Sequence, residues 1–354
     1  MSSARKWIFG AFFYGSVATL FYVVFCIALF IISAIALNQG TVLENRALRD
    51  YQSLYYYSVI SVFAVDPNCA VFDQDLIYKP KIGRCELNTP EFRTTMKFDI
   101  HGRISGKRPD GTGMAVVGDS FSMGWGVNDE ETFAAILENM THRPVYNLAV
   151  AGYATYRELL RLEKSGLMPK IDTIIIQYCG NDLAENVDGT PTHSWRKATS
   201  TESRDVFDSM YSKVPFYRVA QVWIVNSLKV PIRRSWQVLT TSSHEQRDYV
   251  YENFSVVHYP AFNRIVSKFP WLISKKVIVF YTNGPYSRYE NFAGTSLDNA
   301  VSATFVDLSV APEAHYAVDG HLNKLGHQQI AEKLFSLVSQ RTSAHRLDEP
   351  PATK

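Results

Sequence analysis

The sequence predicts a three-layer α/β/α domain on a parallel sheet, preceded by one N-terminal transmembrane helix. Three observations carry that prediction. From Met114 onward, short continuously apolar runs alternate with amphipathic stretches, the pattern of strands covered by helices on both faces. Glycine and polar residues cluster just after those runs, where open α/β sheets bind their ligands. The third is the stretch 7–37, WIFGAFFYGSVATLFYVVFCIALFIISAIAL, which contains no charged residue.

Residues 1–6 form a short leader with Arg5 and Lys6, expected in the cytoplasm because basic residues beside a span are retained there. Residues 7–37 exceed the about 20 apolar residues that a helix needs to cross a bilayer core. A cleaved signal peptide is the alternative, suggested by the small residues Ala34 and Ala36. Its apolar region would run far past the usual ~7–15 residues. The body of the chain is therefore expected outside the cytoplasm, on the periplasmic side of the inner membrane for a bacterial protein. Among the cysteines, Cys26 and Cys179 sit in apolar runs and read as buried thiols. Cys69 and Cys85 flank a short loop and are either a disulfide, as an oxidising compartment would favour, or two free thiols.

Residues 38–113 show no sustained period and several turn signals, such as Asp66-Pro67 and Arg108-Pro109-Asp110-Gly111, and read as a linker and lead-in. The domain proper is placed at 114–340. Its first strand is MAVV, followed by a helix through ETFAAILENM with Phe133, Ile136, Leu137 and Met140 on one face. Next come the run PVYNLAV, a turn at Ala151-Gly152, the helical TYRELLRLEKSGL, and the run DTIIIQYCG ending at Gly180-Asn181-Asp182. Residues 183–274 interrupt the alternation. They are rich in aromatics, including Trp195, Trp223 and Trp236, and read as a lid-like insertion. The segment KVPFYRVAQVWIVNSLKVPIRRSW within it mixes basic and apolar residues. Cap packing is the first reading and a membrane surface the alternative. The runs KKVIVFYT and ATFVDLS restore the alternation, NKLGHQQIAEKLFSLVSQ closes it as a helix, and 341–354 form a polar, flexible tail.

A net charge of +2 with no basic cluster excludes a nucleic-acid partner. Four clusters remain to be explained: Gly118-Asp119-Ser120, Ala151-Gly152, Gly180-Asn181-Asp182 and Asp319-Gly320-His321-Leu322-Asn323. No lysine lies near Gly118 to Gly126, and those glycines lack G-x-G-x-x-G spacing, so neither phosphate loop fits. Ser120 as a nucleophile fits better. A serine hydroxyl needs a general base, and a histidine oriented by a carboxylate supplies one. Asp319 and His321 follow the serine in the order found in other α/β hydrolases. Ser122 stands where the G-x-S-x-G elbow has glycine, so the lipase-type turn is excluded.

These blocks resemble the SGNH (GDSL-like) hydrolases, whose motifs are named for serine, glycine, asparagine and histidine. GDSFSMG, residues 118–124, matches the first block, Gly152 the second, Gly180-Asn181-Asp182 the third, and Asp319, His321, Asn323 and Gly326 the last. The aspartate stands two residues before the histidine, where the common form has three, and Asp307 is the reserve candidate. The resemblance implies an SGNH/flavodoxin-like fold with Ser120 as nucleophile, His321 as base and Asp319 as its orienting acid. It also implies an oxyanion hole from the Ser120 and Gly152 N–H groups and the Asn181 side chain. Asp119, Asp182 and Asn323 are expected to support the site, and Asp119 or Asp182 could equally cap helices. His315 and His327 are expected at the surface. No cofactor or metal is required.

The implied activity is an esterase removing O-acyl groups, O-acetyl in the first instance, from an envelope carbohydrate. Two alternatives stand beside it. One is an O-acyltransferase that hands the acyl group to a cell-surface polysaccharide, with a multi-span membrane acyltransferase as partner. The other is a non-catalytic carbohydrate-binding or assembly component.

Overall fold

The computed structural model describes residues 3–60, 63–187, 200–210, 216–240, 250–282, 287–298 and 301–339. Trp195 and the tail 341–354 lie outside the described residues. Helix α1 (Ser3–Asn38) contains the apolar stretch Phe12–Asn38, and it alone among the described residues is long and apolar enough to cross a membrane. Helix α2 (Arg46–Val59) follows, capped by the Asn45 side chain, which accepts from the N–H groups of Ala47 and Leu48. Five strands come next: β1 (Ala70–Asp73), β2 (Ile77–Pro80), β3 (Gly83–Asn88), β4 (Arg93–Asp99) and β5 (Gly102–Arg103). The domain continues through β6 (Gly113–Val117), α3 (Ser120–Met123), α4 (Phe133–Thr141), β7 (Val145–Asn147), α5 (Thr155–Lys164), β8 (Ile171–Tyr178) and α6 (Asp182–Val187). Two helices, α7 (Ser200–Met210) and α8 (Phe216–Thr240), precede β9 (Val250–Asn253) and α9 (Tyr259–Val266). The last elements are β10 (Lys276–Tyr281), β11 (Ser287–Glu290), β12 (Ala303–Asp307) and α10 (Lys324–Ser339).

Eight strands form one sheet in the order β12-β10-β8-β6-β7-β5-β4-β3. The five from β12 to β7 run parallel, and β5, β4 and β3 extend the sheet antiparallel. Alternate residues of the parallel strands sort to two cores. Ala115, Val117, Ile174, Ile176 and Val279 pack with α5 and α9, whereas Met114, Val116, Ile175 and Phe280 pack with α4 and α10. That burial on both faces is why these runs read as continuously apolar.

Two segments differ from expectation. Residues 83–103, read as lead-in, supply three strands of the main sheet. Cys85 and Leu87 on β3, and Thr94, Met96 and Phe98 on β4, point inward with exposed or half-buried residues between them. This period of two belongs to strands with one wet face. Within the segment read as an insertion, α9 is the crossover between β8 and β10, with Phe262, Ile265 and Val266 in the core. A disulfide joins Cys69, just before β1, to Cys85 of β3. Helices α1, α2 and α8 pack together through Phe30, Tyr51, Val230 and the half-buried Trp223.

The register aligns the carboxyl ends of the parallel strands along one edge, with Val117 beside Ile176, and Tyr281 beside both Tyr178 and Asp307. After β6 the chain goes first to β7 on one side and then to β8 on the other. The sheet therefore opens a crevice beyond β6, the position that α/β sheets use for ligands.

Candidate active site

Ser120 stands at the mouth of that crevice because β6 ends at Val117 and a one-turn helix begins at once. The Asp119 carboxylate caps α3 by accepting from the Phe121 N–H at 2.9 Å, and Gly124 ends it in the left-handed conformation, with φ 88°. A side chain at Gly124 would also collide with Thr132 and Arg103. Buried Arg103 of β5 stitches the turn shut, donating to the carbonyls of Met123 (2.9 Å), Gly124 (2.6 Å) and Val127 (2.6 Å) while pairing with Asp129 at 2.7 Å. The nucleophile turn is thus held by the strands that the sequence reading left out.

Across the crevice, His321 Nε2 lies 2.7 Å from Ser120 Oγ. The other ring nitrogen, Nδ1, is bonded to Asp319 Oδ1, and the His321 backbone N–H donates to the same oxygen at 3.1 Å. Asp319 Oδ2 accepts from the Tyr56 hydroxyl at 2.6 Å and from Trp125 Nε1 at 3.1 Å. Glu91 receives the backbone N–H of Asp319 at 2.8 Å, and the Tyr57 hydroxyl donates to the Asp319 carbonyl. The imidazole is flanked by the rings of Phe121 and Trp125, at 4.6 and 5.9 Å between centroids, which shield it from water.

Charge follows from this geometry. Burial disfavours the Asp319 anion, but the His321 charge and the hydrogen bonds from His321 and Tyr56 outweigh it and hold the carboxyl below its ordinary value. Burial also disfavours a charged His321. The Asp319 carboxylate beside it wins and raises the imidazole above its ordinary value.

The expected oxyanion donors border the same opening. Val150 donates to the Gly118 carbonyl at 3.0 Å, which lays the turn after β7 alongside the Ser120 turn. Gly152 has φ 79°, and a Cβ there would meet the Tyr78 hydroxyl at 2.7 Å, so both conformation and space select glycine. Its carbonyl is held by Arg157 at 2.7 Å, itself forked onto buried Glu185. Among the described residues, no hydrogen bond within the chain takes the N–H of Ser120 or of Gly152. Asn181 is exposed, and its side-chain amide is oriented by Asp119 Oδ2 at 3.1 Å.

The other expected residues are placed differently. Asp182 lies buried behind the site, accepting from Thr155 at 3.2 Å. Asn323 braces the loop of His321 through the carbonyls of Glu313 and His315, without touching the triad. Asp307 accepts from Tyr281 at 2.9 Å and does not meet His321. His315 and His327, expected at the surface, are both buried. His327 Nδ1 accepts from the Phe133 N–H at 3.2 Å, and burial pushes its pKa down to about 3, so it stays neutral. Tyr56, Trp125, Glu91 and Arg103 were not anticipated. None carries a local motif, since each acts on a residue far away in the chain.

No protein-family model matches the chain, and no curated protein does. Among solved structures it is similar to a family two carbohydrate esterase from Clostridium thermocellum in complex with cellohexaose. The identity is 12%, the match covers 68% of this chain and 67% of that one, and the TM-score is 0.37. It is also similar to a phospholipase A1 from Streptomyces albidoflavus NA297, at 14% identity over 67% of this chain and 77% of that one, with a TM-score of 0.24. Overlap at this level carries no argument about activity.

Proposed function

We propose that this chain is a membrane-anchored serine esterase of the SGNH type that cleaves O-acyl esters of an envelope carbohydrate. The observation that carries the reading is the hydrogen-bonded line from Ser120 Oγ through both nitrogens of His321 to Asp319. In the first half-reaction His321 takes the serine proton as Oγ attacks the ester carbonyl. The bond to the leaving alcohol then breaks, and His321 returns the proton to that alcohol, leaving an acyl-Ser120. Water repeats the sequence, releasing the acid and restoring the serine. The negative oxygen of each tetrahedral state would be met by the N–H groups of Ser120 and Gly152 and by the Asn181 amide.

Anchoring through α1, with the catalytic domain outside the cytoplasm, is supported by the apolar length of that helix and by Arg5 and Lys6 ahead of it. The Cys69–Cys85 bridge supports an oxidising compartment. A carbohydrate hydroxyl in place of water would turn the same triad into an O-acyltransferase, with a multi-span membrane protein supplying the acyl group.

The test is turnover of a chromogenic acetyl ester by the wild type and by Ser120→Ala, with and without a carbohydrate acceptor. Release that falls to background in the variant and ignores the acceptor is the expected result. Acceptor-dependent acylation would shift the reading to the transferase. No Ser120-dependent turnover of any ester would sink both.

A further inference from the structure

Helix α8 runs antiparallel to α1. The Trp223 ring lies 5.5 Å from that of Phe30, and the Leu228 carbonyl accepts from the Tyr22 hydroxyl at 2.8 Å. From Leu228 onward α8 therefore heads back along the apolar stretch of α1, away from the catalytic domain. Its inner face is occupied: Ser227 receives the Tyr51 hydroxyl, Val230 is buried, and Arg234 forks onto Asp50 of α2 at 2.5 Å. Its outer face carries Val222, Val225, Ile232 and Trp236, spaced so that all four lie on one side of the helix. Ile232 is 63% exposed and Trp236 68%, values out of keeping with a helix surrounded by water. Lys229 falls between Trp236 and Val222 within this stripe and Arg233 lies at its edge, and both line a groove between α2 and α8. Arg233 keeps most of its side chain exposed while reaching Asp50 at 3.2 Å.

We propose that α8 is a second membrane element. The part of its outer stripe beyond Leu228, Ile232 and Trp236, lies in lipid beside the apolar stretch of α1. Two facts select lipid as the occupant. The helix that α8 packs against exposes Leu20, Phe21, Val24 and Phe25 close to where Tyr22 meets Leu228, so the pair carries apolar surface on both of its outer sides. The stripe also carries long-stemmed cations, which can lie along apolar surface while their charged ends reach for water. The seat continues toward the triad, because Tyr57 lines the same groove and donates to the Asp319 carbonyl. The proposal rests on α1 crossing a bilayer.

The experiment uses the full chain in phosphatidylcholine–phosphatidylglycerol vesicles, prepared with plain or with brominated acyl chains. The difference in emission between the wild type and Trp236→Phe isolates Trp236. Brominated chains are expected to remove at least half of that emission, while aqueous iodide leaves it largely intact. Unchanged emission in brominated vesicles overturns the proposal and is the outcome if a second copy or another membrane protein covers the face. Flotation separates the two readings. A chain that fails to float with vesicles refutes the anchor, whereas one that floats with an unquenched Trp236 refutes only the seat of α8. A nitroxide on Ile232→Cys gives the same information should Trp236→Phe fail to fold. Greater accessibility to oxygen than to an aqueous nickel chelate is expected, and the reverse overturns the proposal.

Discussion

Tyr56 holds the oxygen of Asp319 that His321 leaves open, and this contact decides how the site should respond to pH. The base must be neutral to accept the serine proton. With its pKa raised by Asp319, activity on the proposed ester should climb with pH along a limb centred above the ordinary 6.5 of histidine and be lost as pH falls through it. Tyr56→Phe removes one donor from the carboxylate. The remaining negative charge then holds the imidazolium proton more tightly, so the limb moves further toward alkaline pH. A hydrogen bond to a charged group contributes about 1.5–3 kcal/mol, and its loss here should lower kcat about tenfold with little change in KM. A purely structural Tyr56 would lower the folded fraction and leave the limb in place, which a pH–rate profile distinguishes. Ser120, His321 and Asp319, which the structure brings together, stood out in the sequence because their residue types fall just after a strand and just before the closing helix. Tyr56 and Trp125 did not, because their partner is 263 and 194 residues away and nothing local marks either as a donor.

The elements divide along a similar line. Strands β6, β8 and β10 stood out as apolar runs because helices cover both of their faces. In contrast, β3 and β4 alternate and are separated by turn residues, so their period was lost among the turn signals of 38–113. Yet these strands matter to the site, since β5 carries Arg103 and β3 carries one end of the disulfide. Cross-linking residues 16 apart should stabilise the fold by about 3 kcal/mol, chiefly by restricting the unfolded chain. Replacing both Cys69 and Cys85 by alanine should therefore lower the denaturant midpoint by a corresponding amount. Catalysis in the surviving folded fraction should be nearly unchanged, because neither sulfur approaches the triad. A variant as stable as the wild type would show that the bridge constrains little.

Across the whole molecule, the route from α1 to Ser120, His321 and Asp319 is short. Leu37, near the end of α1, is fully buried in the same core as Tyr56. One helix later, Ser53, Tyr56 and Tyr57 reach respectively the Val318 carbonyl, the Asp319 carboxylate and the Asp319 carbonyl. Helix α2 is thus the wall against which the loop of Asp319 is set, and a tether would not need those contacts. Two shortened chains separate these roles. One beginning at Thr41 removes α1 but retains α2. In detergent it should turn over a chromogenic acetyl ester within a few-fold of the full chain. One beginning at Phe63 keeps every strand of the main sheet and the whole Ser120 turn, yet loses the three donors that α2 supplies to the 318–319 segment. It should retain the circular dichroism of the sheet while kcat drops about tenfold or more, by the same loss of hydrogen bonds to a charged group. Equal turnover by a folded chain from Phe63 would show that Asp319 needs no support from α2 and that this helix only spaces the domain from α1.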